Sequence, residues 1–306
     1  MQMRDRENAD SSLHSARLQI GIVGAGRVGA PMGAALARAG HRVIGVSAIS
    51  DSSRNRAEAL LEGTPILPAD EVVKNAQLVL LAIPDDVLPE FIEGAAKAEL
   101  FKAGQIIVHT AGRFGVGVLE PATRCGALGM AIHPIMTFTG TTMDVERMHG
   151  AIFGVTAPSS ILPIAEALVI EIGGEPTVIA EGDRVAYHAA LAWSANFLNT
   201  LVAEGMDQLR EIGVVDPARA LMPLLNAVLD NVLRNGDQAL TGPIARADAK
   251  TVAAHLQVMA ERTPEIRNAY EVLARLTLHR ATNAGLLRAQ DAAEIERLLG
   301  GDDATG

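Results

Sequence analysis

Several groups of residues in this sequence have types and spacings that could do chemistry. The richest is the run Tyr187-His188-Ala189-Ala190-Leu191-Ala192-Trp193-Ser194-Ala195-Asn196-Phe197-Leu198-Asn199. At about 100° per residue, a helix here puts His188, Ala192, Ala195, Asn196 and Asn199 on one stripe. An imidazole gives or takes a proton near neutral pH, amides hold an oxygen, and alanines leave room beside both. Such a stripe suits a substrate wall, or a helix–helix interface whose polar groups satisfy one another. His133-Pro134 follows the apolar run Met130-Ala131-Ile132. A histidine at the carboxyl end of a strand faces the ligand crevice or serves a structural role. In the loop Leu240-Thr241-Gly242-Pro243-Ile244-Ala245-Arg246-Ala247-Asp248, Arg246 could pair with a substrate carboxylate, with Asp248 or with Glu261. Asp248 also reads as the cap of a helix beginning at Ala249. The sequence holds no H-E-x-x-H, no C-x-x-C and no nucleophile elbow. No metal site is expected.

The elements that must position these groups alternate in the first half of the chain. Strands are predicted at 19–23, 42–47, 78–83, 106–110, 130–133, 152–156 and 176–179. Helices are predicted at 28–39, 53–62, 68–75, 87–99, 115–124 and 161–172. Alternation of this kind implies an α/β fold with a mostly parallel sheet, whose ligands bind outside the carboxyl ends of the strands. Beyond residue 180 the strand pattern stops. Long Ala/Leu/Val-periodic segments follow at 183–212, 217–235, 248–261 and 263–284, with a short one at 288–299. Thr263-Pro264-Glu265 is a helix start with Thr at the cap, and Gly236 is a stop. The expected organisation is a lead-in at 1–17, a Rossmann-type domain at 18–180 and an all-α domain at 181–306. The lead-in is polar, expected to be disordered, and lacks the apolar core of a signal peptide.

Within the first strand and helix lies Leu18-Gln19-Ile20-Gly21-Ile22-Val23-Gly24-Ala25-Gly26-Arg27-Val28-Gly29. This is the G-x-G-x-x-G dinucleotide fingerprint in its required context, after a strand and opening a helix. Gly24 permits the tight turn, Gly26 lets a pyrophosphate approach the backbone, and Gly29 lets the helix pack closely. Arg27 and Val28 open the helix, whose free N–H groups attract phosphate. The second strand ends Val46-Ser47-Ala48-Ile49-Ser50-Asp51-Ser52-Ser53-Arg54-Asn55-Arg56, with no acid at the strand end to take a ribose hydroxyl. The hydroxyls, Ser47 and Ser50 among them, and the two arginines, Arg54 and Arg56, favour a 2′-phosphate, hence NADP over NAD, although Ser50 to Ser53 can equally cap the next helix. Ala82-Ile83-Pro84 covers the middle of the dinucleotide, and Thr110 would lie near the nicotinamide. Asp85 and Asp86 read as acids at a helix N-terminus.

Composition bounds the function. The 306 residues are 49% hydrophobic, 20% charged and 3% aromatic, so the chain can build a large core of closely packed small side chains. A net charge of -10 argues against nucleic acid as a partner. No apolar run is long enough for a membrane span. The lone Cys125 excludes an internal disulfide, fits a cytoplasmic location and is expected to be a small core residue.

On these residues the chain resembles the proteins that join a Rossmann-like domain to a DUF2520 helical domain. The resemblance runs from about Leu18 to Leu287. It rests on Gly24-Ala25-Gly26-Arg27-Val28-Gly29, His109-Thr110-Ala111-Gly112, His133-Pro134 with Thr137-Phe138, Tyr187-His188-Ala189-Ala190 with Asn196, and Thr241-Gly242-Pro243 with Arg246 and Asp248. It implies kinship with the 6-phosphogluconate-dehydrogenase-like reductases, among them ketopantoate reductase, pyrroline-5-carboxylate reductase and prephenate dehydrogenase. Ketopantoate reductases carry a lysine early on the first long helix of the second domain, with asparagines four and eight residues on. Here those positions are similar to His188, Ala192 and Asn196. Prephenate dehydrogenases carry a His-Pro whose His contacts the substrate hydroxyl, a position that His133 resembles. The family usually shows Ser at Ala111 and often Arg at Ala48, which leaves Arg54 or the serines for a 2′-phosphate. The resemblance implies an NADP-dependent dehydrogenase or reductase acting on a CH–OH group or its carbonyl in a small molecule, with a ketopantoate-like 2-oxo acid as the sharpest substrate. His188, Asn196 and His133 are then the catalytic candidates, and Thr110, Asn199, Thr241 and Arg246 the substrate contacts. A homodimer is expected. The alternative is an NAD(P)-binding redox sensor or assembly protein without turnover.

Overall fold

The computed structural model describes residues 17–300. Apart from Arg17, the expected lead-in lies outside the described residues. The strands are β1 (Gln19–Val23), β2 (Arg42–Ser47), β3 (Leu78–Leu81), β4 (Ile106–His109), β5 (Leu128–Pro134), β6 (Ile152–Thr156) and β7 (Glu175–Val178). They form one sheet in the order β2-β1-β3-β4-β5-β6-β7. Every neighbouring pair is parallel except β5 and β6. Strands β1, β3, β4 and β5 read as near-continuous apolar runs because both faces are buried. Ile20, Ile22, Leu78, Leu80, Val108 and Ile132 pack on one side, against Met32 and Leu36 of the helix Gly29–Arg38 and Leu168 of the helix Leu162–Glu171. Val79, Leu81 and Ile107 pack on the other, against Val72 and Val73 of Ala69–Asn75 and Ile92 of Leu88–Lys97. Since β1 has β2 on one side and β3 on the other, the chain reverses its winding beside β1. That switch point opens a crevice at the carboxyl ends of β1 and β3.

The described residues divide into two compact units, one up to Asn199 and one from Thr200. The second unit is helical, with Pro217–Asn235, Ala249–Ala260, Pro264–Asn283 and Ala289–Leu298. Its core gathers Ile244, Val252, Ala274, Leu278, Ile295 and Leu299. Asp248 caps Ala249–Ala260 by accepting from the Thr251 N–H at 3.1 Å, and Gly236 ends Pro217–Asn235 with φ 56°. Thr263 precedes the helix Pro264–Asn283 as read, but its side chain makes no capping bond.

Several elements differ from the sequence reading. The strands expected at 78–83 and 106–110 end at Leu81 and His109, where the chain turns away at the crevice. The helix expected at 115–124 is a 3-10 turn, Val116–Leu119, followed by Glu120–Arg124. Cys125 is exposed rather than in the core. It ends that short helix, where its Sγ reaches the Pro121 carbonyl at 3.4 Å. The long helix expected at 183–212 is Arg184–Leu191, then a π turn over Ala192–Asn196, then Phe197–Glu211. Among the described residues, no helix is long and apolar enough to cross a membrane. Nor is there, among them, a cluster of His, Cys, Asp or Glu able to hold a metal ion.

Candidate functional site

The three glycines of the loop after β1 have distinct steric roles. Gly24 has φ 99°, and a Cβ there would lie 2.5 Å from the Ala82 carbonyl oxygen and 3.1 Å from Ile83 Cγ2. A Cβ on Gly29 would lie 2.0 Å from the Gly24 carbonyl oxygen and 2.8 Å from Ala82 Cβ. These positions are filled by the fold itself. Gly26 differs: a Cβ there would meet only the Ala82 oxygen, at 3.9 Å. Its face is open, as a pyrophosphate lying on the backbone requires. The helix Gly29–Arg38 starts from Val28 with no side-chain cap and no acid in its first turn, so its N–H groups and dipole remain for an anion. The loop is anchored through Ser47, whose carbonyl accepts from the Gly24 and Ala25 N–H groups, both at 3.1 Å. The Pro84 carbonyl starts the next helix, accepting from Leu88 N at 3.1 Å.

The loop after β2 divides its work. Ser50 caps the helix Asp51–Leu60, accepting from the Ser53 N–H at 3.2 Å. Arg54 is exposed, and its Nε reaches only the Ile49 carbonyl at 3.4 Å. Arg56, the second arginine of that loop, donates to the Ala25 carbonyl at 3.2 Å and so touches the glycine loop directly. A third segment closes on it: a Cβ at Gly140 would lie 2.6 Å from Arg56 Nε and 3.3 Å from Arg27 Cγ. That segment is held by the buried Asp144, whose carboxylate accepts from the N–H groups of Thr139, Gly140 and Thr141. Burial pushes this carboxyl up, but those hydrogen bonds outweigh it and leave it below the usual range.

At the carboxyl ends of β4 and β5 the imidazoles of His133 and His188 meet edge-on, with ring centroids 6.1 Å apart. Gly112 lies between the rings. A Cβ there would sit 2.6 Å from His188 Cδ2 and 3.0 Å from His133 Nε2. Glycine at this position is a matter of space, not of backbone strain. His133 Nδ1 lies 2.7 Å from the Tyr187 hydroxyl. Burial, then the nearby charges of Arg184, His188 and His109, lower the His133 pKa to about 4. It is therefore a neutral imidazole at ordinary pH. Thr110 precedes Gly112 by two residues, its N–H bonded to the Leu81 carbonyl at 3.2 Å.

Three groups keep this cluster in place. His109 is fully buried, takes the Ala111 N–H on Nδ1 at 3.2 Å and donates from Nε2 to the Gly115 carbonyl at 2.8 Å. Burial brings its pKa to about 4 as well. Glu181 accepts the N–H groups of Val116 and Gly117 at 2.7 and 2.9 Å. Arg184 is 1% exposed. It donates to Thr156 Oγ1 at 2.7 Å and to the carbonyls of Ala131 and Gly154, both at 3.1 Å. It thereby ties the helix carrying His188 to β5 and β6.

The remaining residues of the helical stripe do not join this cluster. The π turn inserts an extra residue into the helical ladder, so residues past it are rotated by about 100° from their α-helical projection. Asn196 lies inside the turn and Asn199 beyond it, and both are exposed. Thr241 and Arg246 belong to the second unit, where Arg246 donates to Thr241 Oγ1 at 3.3 Å. This pairing is neither of the protein partners weighed for Arg246 from sequence. Asp85 pairs with Arg113 at 3.5 Å.

The sequence matches the Rossmann-like domain over residues 3–134 and DUF2520, a domain of unknown function, over residues 151–277. The chain joins these two domains. The DUF2520 match begins ahead of β6, so it includes β6 and β7 as well as helices. No curated protein matches the sequence. Among solved structures, the chain is similar to a candidate NADP oxidoreductase from Bacteroides fragilis, at 22% identity and TM-score 0.72, covering 85% of this chain and 98% of that one. It is similar to an imine reductase from a Pseudomonas species, at 18% identity and TM-score 0.60, covering 92% and 99%. It is also similar to the NADP-bound pyrroline carboxylate reductase of Plasmodium falciparum, at 10% identity and TM-score 0.54, covering 92% and 97%. At these identities the likeness is one of fold.

Proposed function

We propose that this protein is an NADP-dependent oxidoreductase acting on the carbonyl or hydroxyl carbon of a small molecule. The observation that carries the reading is the placement, in one unit, of an open glycine cradle and of two facing imidazoles at neighbouring strand ends. Gly26, the N–H groups of the helix Gly29–Arg38, Arg27 and the Ala82–Pro84 segment would hold the pyrophosphate and what lies beside it. Ser47, Ser50, Arg54 and Arg56 border the place of a 2′-phosphate. The cofactor supplies hydride when bound. His188 gives the nascent alkoxide its proton, while the His133 N–H and the Thr110 hydroxyl hold the oxygen. A 2-oxo acid of the ketopantoate kind is the first substrate to try. Cyclic imines come second, because an imine reductase and a pyrroline carboxylate reductase are among the proteins of similar fold.

The test is NADPH oxidation by the purified protein against a panel of 2-oxo acids and cyclic imines, with NADH in parallel. Turnover of one member with NADPH supports the reading. NADPH binding without turnover across the panel would favour a redox sensor instead. Arg56→Ala is expected to remove a charge-assisted contact of about 1.5–3 kcal/mol, weakening NADPH binding by roughly 10- to 100-fold with little change for NADH. Equal loss for both cofactors in titration calorimetry would place Arg56 on the pyrophosphate rather than the 2′-phosphate.

We also infer a homodimer formed through the helical unit. The helix Pro217–Asn235 buries only Pro217 and exposes Met222, Leu229 and Leu233, which share one face at about 100° per residue, a row of apolar side chains that a partner would cover. Light scattering should give twice the chain mass, and Leu233→Glu should shift it toward the monomer. A monomer in the unmodified protein contradicts the inference.

A further inference from the structure

We propose that Tyr187 is a positioning residue: its hydroxyl donates to His133 Nδ1 and fixes that ring with its proton on Nε2, aimed at the Gly112 side of the cluster. This deepens the hydride-transfer reading and rests on it for its catalytic meaning. The hydrogen bond itself does not.

The geometry leaves the phenol little choice. Tyr187 Oη is 2.7 Å from His133 Nδ1, and the rings stand edge-on at 89° with centroids 5.6 Å apart. The oxygen also lies against Gly154, where a Cβ would be only 2.5 Å away. Burial raises the Tyr187 pKa, so the phenol keeps its proton and must donate it. A buried donor left without an acceptor is costly. The acceptor within reach is His133 Nδ1. A neutral imidazole that accepts on Nδ1 carries its hydrogen on Nε2, and Nε2 is the atom facing Gly112.

The surroundings favour the same state. The charged and titratable groups around the His133 ring are Arg184, His188 and His109, and each disfavours a second proton on it. Arg184 lies 5.6 Å from the centre of the Tyr187 ring, on the same helix. His133 is thus a neutral N–H donor, suited to polarising an oxygen and unsuited to surrendering a proton. His188 is left as the group that supplies one. Neighbouring residues on one helix, Tyr187 and His188, then have separate tasks: one sets the tautomer of His133 and the other faces the substrate.

The experiment is nitrogen-15 NMR of histidine-labelled protein, with the His133 resonances assigned by their loss in His133→Asn. Between pH 6 and 8 the unmodified protein should show a single neutral tautomer protonated on Nε2. Tyr187→Phe keeps the ring against Gly154 and removes only the hydroxyl. It should convert that signal to a mixture of tautomers, whereas His188→Ala should leave the tautomer as it was. An Nδ1-protonated ring in the unmodified protein, or an unchanged tautomer in Tyr187→Phe, overturns the proposal. With a substrate in hand, Tyr187→Phe should lower kcat by up to about 100-fold, the smaller end of what losing one oxyanion donor costs, with NADPH affinity unchanged. An unchanged kcat overturns the catalytic meaning. A protein that turns nothing over yet shows the tautomer change contradicts the hydride-transfer reading and upholds the hydrogen bond.

Discussion

His188→Ala is expected to lower NADPH-dependent turnover by about 10²- to 10⁴-fold, the usual contribution of a positioned proton donor, while the Kd for NADPH stays where it was. The separation follows from place. The glycine loop, the Ala82–Pro84 turn and the arginines near Ala25 form the cofactor side. His188 lies across Gly112 from His133, beyond the end of β4. Removing the imidazole takes away the proposed proton donor without touching a group that holds phosphate. Shortening this side chain also vacates the space over Gly112, so added imidazole is expected to restore part of the rate. Stopped-flow NADPH oxidation and fluorescence titration with NADPH measure the two quantities separately. If NADPH affinity falls as steeply as the rate, His188 belongs to the cofactor site and the proton-donor role is wrong. If neither changes, His188 is not the proton donor.

Arg184→Ala is expected to destabilise the first unit by about 3–5 kcal/mol, through lost charge-assisted bonds and the cavity left behind. In a unit of this size, that lowers Tm by roughly 6–20 °C. Three acceptors lose their donor: Thr156 Oγ1 and the carbonyls of Ala131 and Gly154. The helix that carries Tyr187 and His188 loses its tie to β5 and β6, so activity should fall along with stability. Arg184→Met, which fills more of the space, should lose less and so separate the cavity from the hydrogen bonds. There is a pH consequence too. His133 and His109 have folded pKa values of about 4 against an ordinary 6.5. An unfolded chain takes up protons there first, so stability is full above about 6.5 and declines as pH falls toward 4. Arg184 contributes to both depressions. Its removal should therefore move the His133 titration toward ordinary values, though not all the way, because burial is the larger cause. Denaturant unfolding at several pH values checks both claims. A cost below about 1 kcal/mol would show that the guanidinium is not what secures the helix.

The sequence is most legible where a single residue type answers a single local need. Gly24, Gly26 and Gly29 announce the turn, the open face and the tight packing because no other residue satisfies those constraints. The parallel core strands announce themselves as apolar runs, and Asp248 announces its helix because an N-cap needs a side-chain acceptor. The candidate site is legible only in part. His133 and His188 are recognisable by residue type and by their positions at a strand end and on a helix. That they meet at Gly112 is a tertiary fact, which no spacing along the chain encodes. The π turn at Ala192–Asn196 has no residue signature, so an α-helical projection carries Asn199 onto the wrong face. Arg184 and Asp144 look like ordinary surface charges in the sequence. Their burial follows from hydrogen bonds made to distant backbone, in one case across β5 and β6 and in the other around the Thr139–Thr141 turn. Arg54 and Arg56 have the same chemistry two residues apart, and only the fold shows that Arg56 is the one reaching the glycine loop while Arg54 meets the Ile49 carbonyl.

The central claim is that the glycine cradle and the paired imidazoles are two halves of one nicotinamide site. A crystal structure with NADP bound tests it most directly. The expected result is pyrophosphate over Gly26 at the start of the helix Gly29–Arg38, with the nicotinamide ring beside Thr110 and within reach of His133 and His188. A dinucleotide bound away from the glycine loop, or a nicotinamide ring remote from both histidines, would contradict it.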